Sequence, residues 1–301
     1  MTRTRTSAAH LFFAAVFAFA AGARAEPKAA PPPVVLLAPG RPPLAPLRLE
    51  LSKTGVEKGE MTAATSMTME TADGPNKIEL PKMASSLTAT NAAAAGAGAV
   101  TVNVKFGGLK LTGPNAAELE AKLHDAGMSL EGLGCSYVIT DRGLATSSSV
   151  TVPPNAPPVL RQFAEQTKST LDVALLPLPA EPVGVGARWK QEGRTQSGGV
   201  AMTLISTYEL LERSKTFIRV KRSVVARGEP GSIPVPGSAA KVEILKCDGA
   251  GEGEMRQPLD QVMPSSWTFD LKFRMSLKAQ GQAIQQTVSV NAGGGDQLVK
   301  K

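Results

Sequence analysis

Apolar and polar residues alternate with a period of two along much of this chain. In WTFDLKFRMSL, Trp267, Phe269, Leu271, Phe273, Met275 and Leu277 fall on one side, and Thr268, Asp270, Lys272, Arg274 and Ser276 on the other. AVTVNVKF sets Val100, Val102, Val104 and Phe106 against Thr101, Asn103 and Lys105, and LRLELS alternates Leu47, Leu49 and Leu51 with Arg48, Glu50 and Ser52. Successive side chains of a strand point to opposite faces, so this pattern describes a sheet with one covered and one wet face, the usual state of antiparallel pairing. The glycine-centred break KAQGQA (278–283) predicts a hairpin.

Two stretches switch to helical spacing. In NAAELEAKLHDAG (115–127), Asn115 can cap with Glu118 three residues on, Leu119, Leu123 and Ala126 share a face, and Gly127 ends the helix. A longer helix is expected over 156–176. Pro157 and Pro158 open its first turn, and Leu160, Phe163, Ala164, Thr167, Leu171, Ala174 and Leu175 form its apolar stripe. Pro177, Pro179 and Pro182 stop that helix, Gly184 and Gly186 permit a bend, and Trp189 re-enters a strand region as a large anchor.

The expected fold class is therefore α+β: a large curved antiparallel β-sheet, a half-open barrel, packed on a central helix, with one additional short helix. The expected domain is 47–290, in two halves (47–154 and 183–290) joined by helix 156–176. A low-identity echo between TDRGLATSSSVTV (140–152) and LDQVMPSSWTFDL (259–271), which sets Asp141 against Asp260, hints at duplicated topology.

The ends read differently. Residues 1–25 carry Arg3 and Arg5, an apolar run from Leu11 to Gly22 and the small-residue site Ala23-Arg24-Ala25, the pattern of a secretory signal peptide. With no cysteine near that site, an unlipidated, Sec-exported protein of the periplasm or the extracellular space is expected. No later run approaches the roughly 20 apolar residues of a membrane helix, so no integral membrane segment is expected after cleavage. Residues 26–46 hold eight prolines and no apolar period, which predicts a Pro-rich linker. Residues 291–301 predict a flexible tail.

Charge narrows the partners. Three positive charges leave with the signal peptide, so the formal +7 becomes +4. The densest basic cluster, KRSVVAR (221–227), reads as a solvated strand face, and without interleaved stacking aromatics no nucleic acid is expected as a partner.

Candidate chemistry is sparse. Cys135 and Cys247 would sit in an oxidising compartment, where a disulfide between them and two free buried thiols are both open. His124, on the polar side of the short helix, is weak material for a metal site or a serine triad. Ser238-Ala-Ala-Lys241 and Lys53-Thr54-Gly55 match two motifs of penicillin-recognising enzymes in the wrong chain order. CDGAGEGEM (247–255) gathers Asp248, Glu252 and Glu254 among glycines, but lacks calcium-loop spacing and reads as a hairpin turn. No catalytic residue, metal site or cofactor is expected.

The stretch PLPAEPVGVGARW, with GAGEGEM, Asp260 and a Ser-rich run into a last amphipathic strand, resembles a family of exported bacterial proteins of unknown function carrying a PLP-x-x-PV-x-VG-x-x-W segment after a helix. The resemblance spans roughly residues 47–290. It implies a large curved antiparallel sheet over a helix, a topology similar to the half-open barrels of periplasmic lipoprotein carriers, and it transfers no site residue.

The function expected on these grounds is a non-enzymatic exported protein holding a hydrophobic or acyl ligand in a groove between sheet and helix. Candidate groove residues are Met202, Trp267, Phe269, Phe273, Met275 and Phe163. Met61, Met67, Met69, Met202 and Met275 would be adaptable liners or, equally, core filler. The alternative is a structural or protein-interaction module of the cell envelope, whose partner would be an envelope protein in place of a lipid or other hydrophobic small molecule. A hydrolase using surface carboxylates is a third and weaker reading.

Overall fold

The structure is a computed structural model that describes residues 31–301 apart from 72–73, 95–97, 126–130, 155–160, 162–163, 165–167, 169–170, 173, 198–199, 235–240, 280–281 and 297–301. The expected signal peptide, Phe163, Ser238 and most of the helix expected at 156–176 lie outside the described residues.

The first half of the chain supplies β1 (Val34–Ala38), β2 (Gly55–Thr71), β3 (Gly74–Glu79), β4 (Lys82–Ala93), β5 (Ala99–Thr112), helix α1 (Ala116–Asp125), β6 (Gly134–Thr140) and β7 (Ala145–Thr151). The second half supplies β8 (Arg188–Ser197), β9 (Val200–Arg213), β10 (Phe217–Gly228), β11 (Gly231–Pro234), β12 (Lys241–Pro258), β13 (Ser266–Ala279) and β14 (Gln282–Asp296). These strands form one open antiparallel sheet in the order β1-β8-β9-β10-β12-β13-β14-β2-β4-β5-β6-β7, with β11 beside β12 and β3 beside β2. Strands β2 to β7 and β8 to β14 thus occupy two contiguous stretches that meet where β14 pairs β2, while β1 crosses to the far edge beside β8.

The α+β expectation is overturned. Of the described residues 68% are strand and 5% helical, an open half-barrel sheet and not a sheet packed on a central helix. The physical reason is strand length. Runs rich in Thr, Ser, Gly and Ala, such as MTAATSMTMET in β2 and GAGEGEM in β12, carry little apolar signal, yet backbone pairing extends through them because a ladder needs only N–H and C=O groups. GAGEGEM lies inside an 18-residue strand, not at a turn.

Three boundaries also move. Residues 34–38 of the expected linker are β1, paired to β8 from Val34 opposite Gln191, and residues 291–296 of the expected tail extend β14. LRLELS, expected as a strand, crosses the strand ends without joining a ladder; Leu49 N–H donates to the Asp141 carbonyl at 2.7 Å and Glu50 N–H to the Leu259 carbonyl at 2.6 Å. Its alternation still holds, with Leu47 and Leu49 buried.

Three apolar clusters line the covered face. The first, at the end where β9 finishes and β13 begins, gathers Trp189, Tyr208, Leu210, Ile218, Trp267 and Phe269 beneath the Pro-rich segments. A second sits under β4 to β6 around Val102, Val104, Phe106, Cys135 and Tyr137, with Ala164 and Leu171 packed on it. The third lies at the opposite ends of the strands and joins Met67 of β2 to Val200 and Met202 of β9. Five ladder steps separate those two strands, so their meeting requires the sheet to curl.

The Pro-rich segments are tied down by arginines. Proline has no N–H to donate, so carbonyls in such segments need partners from elsewhere. Arg213 Nη1 donates to the Ala45 and Val183 carbonyls at 2.9 and 3.0 Å, and its Nη2 to that of Pro46 at 2.8 Å. Arg48 reaches the Pro179 and Ala180 carbonyls at 3.1 and 2.9 Å, and Arg142 reaches that of Leu178 twice, at 3.1 and 2.9 Å. Where the two segments cross, Gly40 has φ +81°, and a Cβ there would stand 2.6 Å from the Ala187 nitrogen.

Candidate functional site

Antiparallel register aligns side chains in rows across the sheet. Val224, Gly251, Leu271, Val290 and Thr65 make one row across β10, β12, β13, β14 and β2. The next rows on the same face are Arg222, Gly253, Phe269, Ala292 and Ala63 on one side, and Ala226, Gly249, Phe273, Val288 and Met67 on the other. Alternation places all three rows on the covered face, since Val224, Phe269 and Ala292 belong to the first cluster and Met67 and Val288 to the third.

A groove of about 810 Å³ crosses β10, β12, β13, β14 and β2 along the Val224 row; beside that row it is lined by Leu80 and by Ser223, Val225, Ala250, Glu252, Asp270, Lys272, Ser289 and Asn291, whose side chains alternate to the wet face. Two features open it. Gly251 and Thr65 contribute little bulk, and Pro81 follows Leu80 where the chain leaves β3 to begin β4, so the neighbour of β2 is interrupted there. At ~4.8 Å per ladder step, the row from β10 to β2 spans about 19 Å.

A glycine stripe runs along the covered side of β12, where Gly249, Gly251 and Gly253 alternate. Apolar side chains of β13 lie across this bare strand: a Cβ on Gly249 would stand 2.5 Å from Phe273 Cδ1, one on Gly251 3.0 Å from Leu271 Cδ1, and one on Gly253 2.9 Å from Phe269 Cδ2.

Asp248, Glu252 and Glu254, the acids between these glycines, face the wet side. They pair with Lys246 (2.8 Å), Lys221 (2.9 Å) and Arg219 (3.5 Å) respectively. The Glu252 contact raises the Lys221 pKa, chiefly through their hydrogen bond. Among the described residues no cluster of three or more His, Cys, Asp or Glu could hold a metal ion.

One charged residue stands in the covered rows. Arg222 is 6% exposed, and its Nη2 donates to Ser206 Oγ at 2.8 Å. Its guanidinium carbon lies 5.4 Å from the Tyr208 ring centroid and 5.5 Å from that of Phe269. Tyr208 in turn stacks on Trp189, with centroids 5.7 Å apart and planes 13° from parallel. The result is a layered Trp189, Tyr208, Arg222, Phe269 sequence within the first cluster.

The groove residues expected from sequence sit elsewhere. Trp267 and Phe269 pack the first cluster, Met202 and Met275 the third, and Phe273 is half-buried against the third. They form the walls' packing and not the lining, and Phe163 lies outside the described residues. Met67, Met69, Met202 and Met275 fill the third cluster and Met61 packs between the first two, which is the core-filler role.

Cys135 and Cys247 are free, buried and in different clusters, so the disulfide expectation gives way to two separate thiols. Burial pushes the Cys135 thiol up to about 11 and raises that of Cys247. The Tyr137 hydroxyl, raised by burial, donates to the Lys168 carbonyl at 3.3 Å.

Sequence reasoning missed Val224, Leu271, Val290 and Thr65 as lining, and it missed Arg222 as a buried group. KRSVVAR was expected on the wet face, which holds for Lys221 and Ser223 but not for Arg222. The signal was present in IRVKRSVVA, where Ile218, Val220, Val224 and Ala226 alternate and Arg222 takes the apolar place in that series.

No family model matches the chain, and no curated protein matches it. Among solved structures, DynF from the dynemicin biosynthesis pathway of Micromonospora chersina aligns over 92% of this chain and 93% of its own, at 8% identity and a TM-score of 0.23. A monoaromatic hydrocarbon channel, CymD, aligns over 81% of this chain and 89% of its own, at 8% identity and a TM-score of 0.12. Among the described residues no helix is long and apolar enough to cross a membrane.

Proposed function

We propose that this protein is a non-enzymatic exported binding protein that holds a hydrophobic or acyl ligand in the groove along Val224, Leu271 and Val290. The observation that carries the reading is a groove of about 810 Å³ that runs across five strands along the Val224 row. Ligand sites commonly enclose about 300–1,000 Å³ and are mostly apolar. An apolar occupant of this groove would remove Leu271 and Val290 from water.

The test is equilibrium binding of an environment-sensitive fluorescent fatty acid, beside native mass spectrometry of the purified protein. Wild type is expected to bind the probe saturably, and V290W, which fills the groove, to lose it while keeping the wild-type circular dichroism spectrum. Equal binding by the two proteins removes the groove from the account. Export is tested by the mass of the protein recovered from the periplasm, which should begin after Ala25.

The second reading, an interaction module of the envelope, draws on β1. This strand is a sheet edge with Val35 43% and Leu37 50% exposed, and an open edge can accept a partner strand. A carrier should return lipid from envelope extracts, and an adaptor should return a protein whose binding L37K abolishes.

A further inference from the structure

Sulfur is unevenly spread through the core. Of the seven buried side chains in the third cluster, Met67, Met202, Cys247 and Met275 carry it, whereas among the described residues the first cluster has Met255 in seventeen and the second Cys135 in fourteen. Packing does not call for this concentration, since leucine fills nearly the volume of methionine and the two exchange in cores at little cost. The four residues come from β2, β9, β12 and β13, so no motif along the chain announces them.

Register puts three of them in one line. Met202 of β9 faces Gly228 of β10, Gly228 faces Cys247 of β12, and Cys247 faces Met275 of β13, in the covered row next to that of Phe273 and Val288. Opposed residues of a ladder have Cβ atoms about 4.5–5.5 Å apart, within reach of a thioether. Gly228 lets the line close up. A Cβ there would stand 2.7 Å from Cys247 Cβ and 3.1 Å from Val200 Cγ1, so Cys247 overhangs the bare residue between Met275 and Met202. The curl that brings Met67 to Val200 makes this face concave, and side chains on a concave face converge. The Met67 thioether is engaged, accepting from Gln286 Nε2 at 2.6 Å, whereas among the described residues no hydrogen bond engages the sulfurs of Cys247, Met202 and Met275.

We propose that Cys247, Met202 and Met275 form a site for a soft monovalent cation, Cu(I), held by one thiolate and two thioethers; this goes beyond the groove reading and shares no residue with the groove lining. Thiolate and thioether donors select soft metals, and the unbranched methionine chain adapts to the coordination it is offered. Charge favours a monovalent ion. Cu(I) and one thiolate cancel, so the complex is neutral and suits a place where burial disfavours a lone thiolate, whereas a divalent ion would leave one positive charge buried. As the Cu–S bond forms, the Cys247 thiol proton passes to solvent, and no electron is transferred.

The experiment is an anaerobic titration of the purified protein with Cu(I) in competition with the chromophoric chelator bicinchoninate. Wild type is expected to take one Cu(I) from the chelator, with X-ray absorption showing only sulfur bound to the metal. C247S should weaken binding at least about 100-fold, and the double variant M202L/M275L at least about tenfold, or ~1.4 kcal/mol. Leucine keeps the methionine volume, so the double variant should retain the wild-type circular dichroism spectrum, and C135S should bind Cu(I) as wild type does. No transfer of Cu(I) to wild type overturns the proposal, as does binding unaltered in C247S or in M202L/M275L, or binding lost in C135S. A second measurement needs no variant: excess Zn(II) should leave the bound Cu(I) in place, and its displacement by Zn(II), or oxygen or nitrogen found on the metal, also overturns the proposal.

Discussion

The indole Nε1 of Trp189 donates to the carbonyl oxygen of Pro177 at 2.7 Å, inside the core. This bond closes the Pro-rich crossover on itself: the second residue of β8 holds the residue at which the expected helix stops. Trp189 is fully buried, so its N–H has no water to fall back on.

Replacing Trp189 by Phe keeps a ring against Tyr208 but leaves the Pro177 carbonyl unmatched. W189F is expected to lose about 1–3 kcal/mol of stability, the usual penalty for a buried polar group left alone. Urea unfolding followed by circular dichroism measures it, and a loss under 0.5 kcal/mol, the range of neutral surface changes, would make the hydrogen bond incidental.

The β12 glycines carry a sharper expectation. A Cβ on Gly253 would run into the Thr268 carbonyl oxygen, whereas one on Gly108 of β5 would meet nothing within 4 Å. G253A should cost about 1–3 kcal/mol or more by overpacking, and G108A should stay within about ±0.5 kcal/mol. Thermal unfolding of the two variants side by side decides between this and a general intolerance of glycine changes.

Arg213 spans the carbonyls of Ala45, Pro46 and Val183. R213A takes this donor from the Pro46 carbonyl and leaves those of Ala45 and Val183 only their mutual backbone bonds, and R213K cannot reproduce the fork. Hydrogen exchange over residues 39–51 and 183–187 should accelerate in both variants, by more in the alanine one. Unchanged exchange there would mean that the prolines alone hold the segment.

The buried thiols set an alkaline limit on stability. An unfolded cysteine releases its proton near 9.0, and burial lets the folded Cys135 keep it to about 11. Between those values the native state binds the extra proton, so stability falls as pH rises through the window and is fully present below it. C135A should lose less stability than wild type between pH 8.5 and 10.5, values chosen to straddle about 9. In the native protein at pH 8, near the ordinary thiol range of about 8.5, neither cysteine should react with a thiol reagent, and a reductant should leave the melting temperature unmoved because no disulfide joins the two.

Alternation reported burial more faithfully than it reported strands. Leu47 and Leu49 are buried as their spacing predicts, although their segment joins no ladder, because an extended chain crossing a core end obeys the same two-residue period. The converse failure is β12, where glycines concealed a long strand: what fills the space above Gly249, Gly251 and Gly253 is the side chains of β13. The groove was illegible for a related reason. It depends on which rows come level, and register is set by pairing between distant segments, not by any local spacing. Arg222 alone left a readable trace, as a cation standing in an apolar series.

The edge position of β1 orders events in time. Val34 faces Gln191, and β2 faces β14, which ends at Asp296, so both early strands wait for partners made much later. Closure over such sequence distances is slow, so β1 and the β14 side of β2 find their partners late, while the other side of β2 has β3 and β4 directly behind it. The nascent polypeptide can thus zip β2 to β7 as they emerge, whereas the seam that joins the two halves must wait for the final strand, β14.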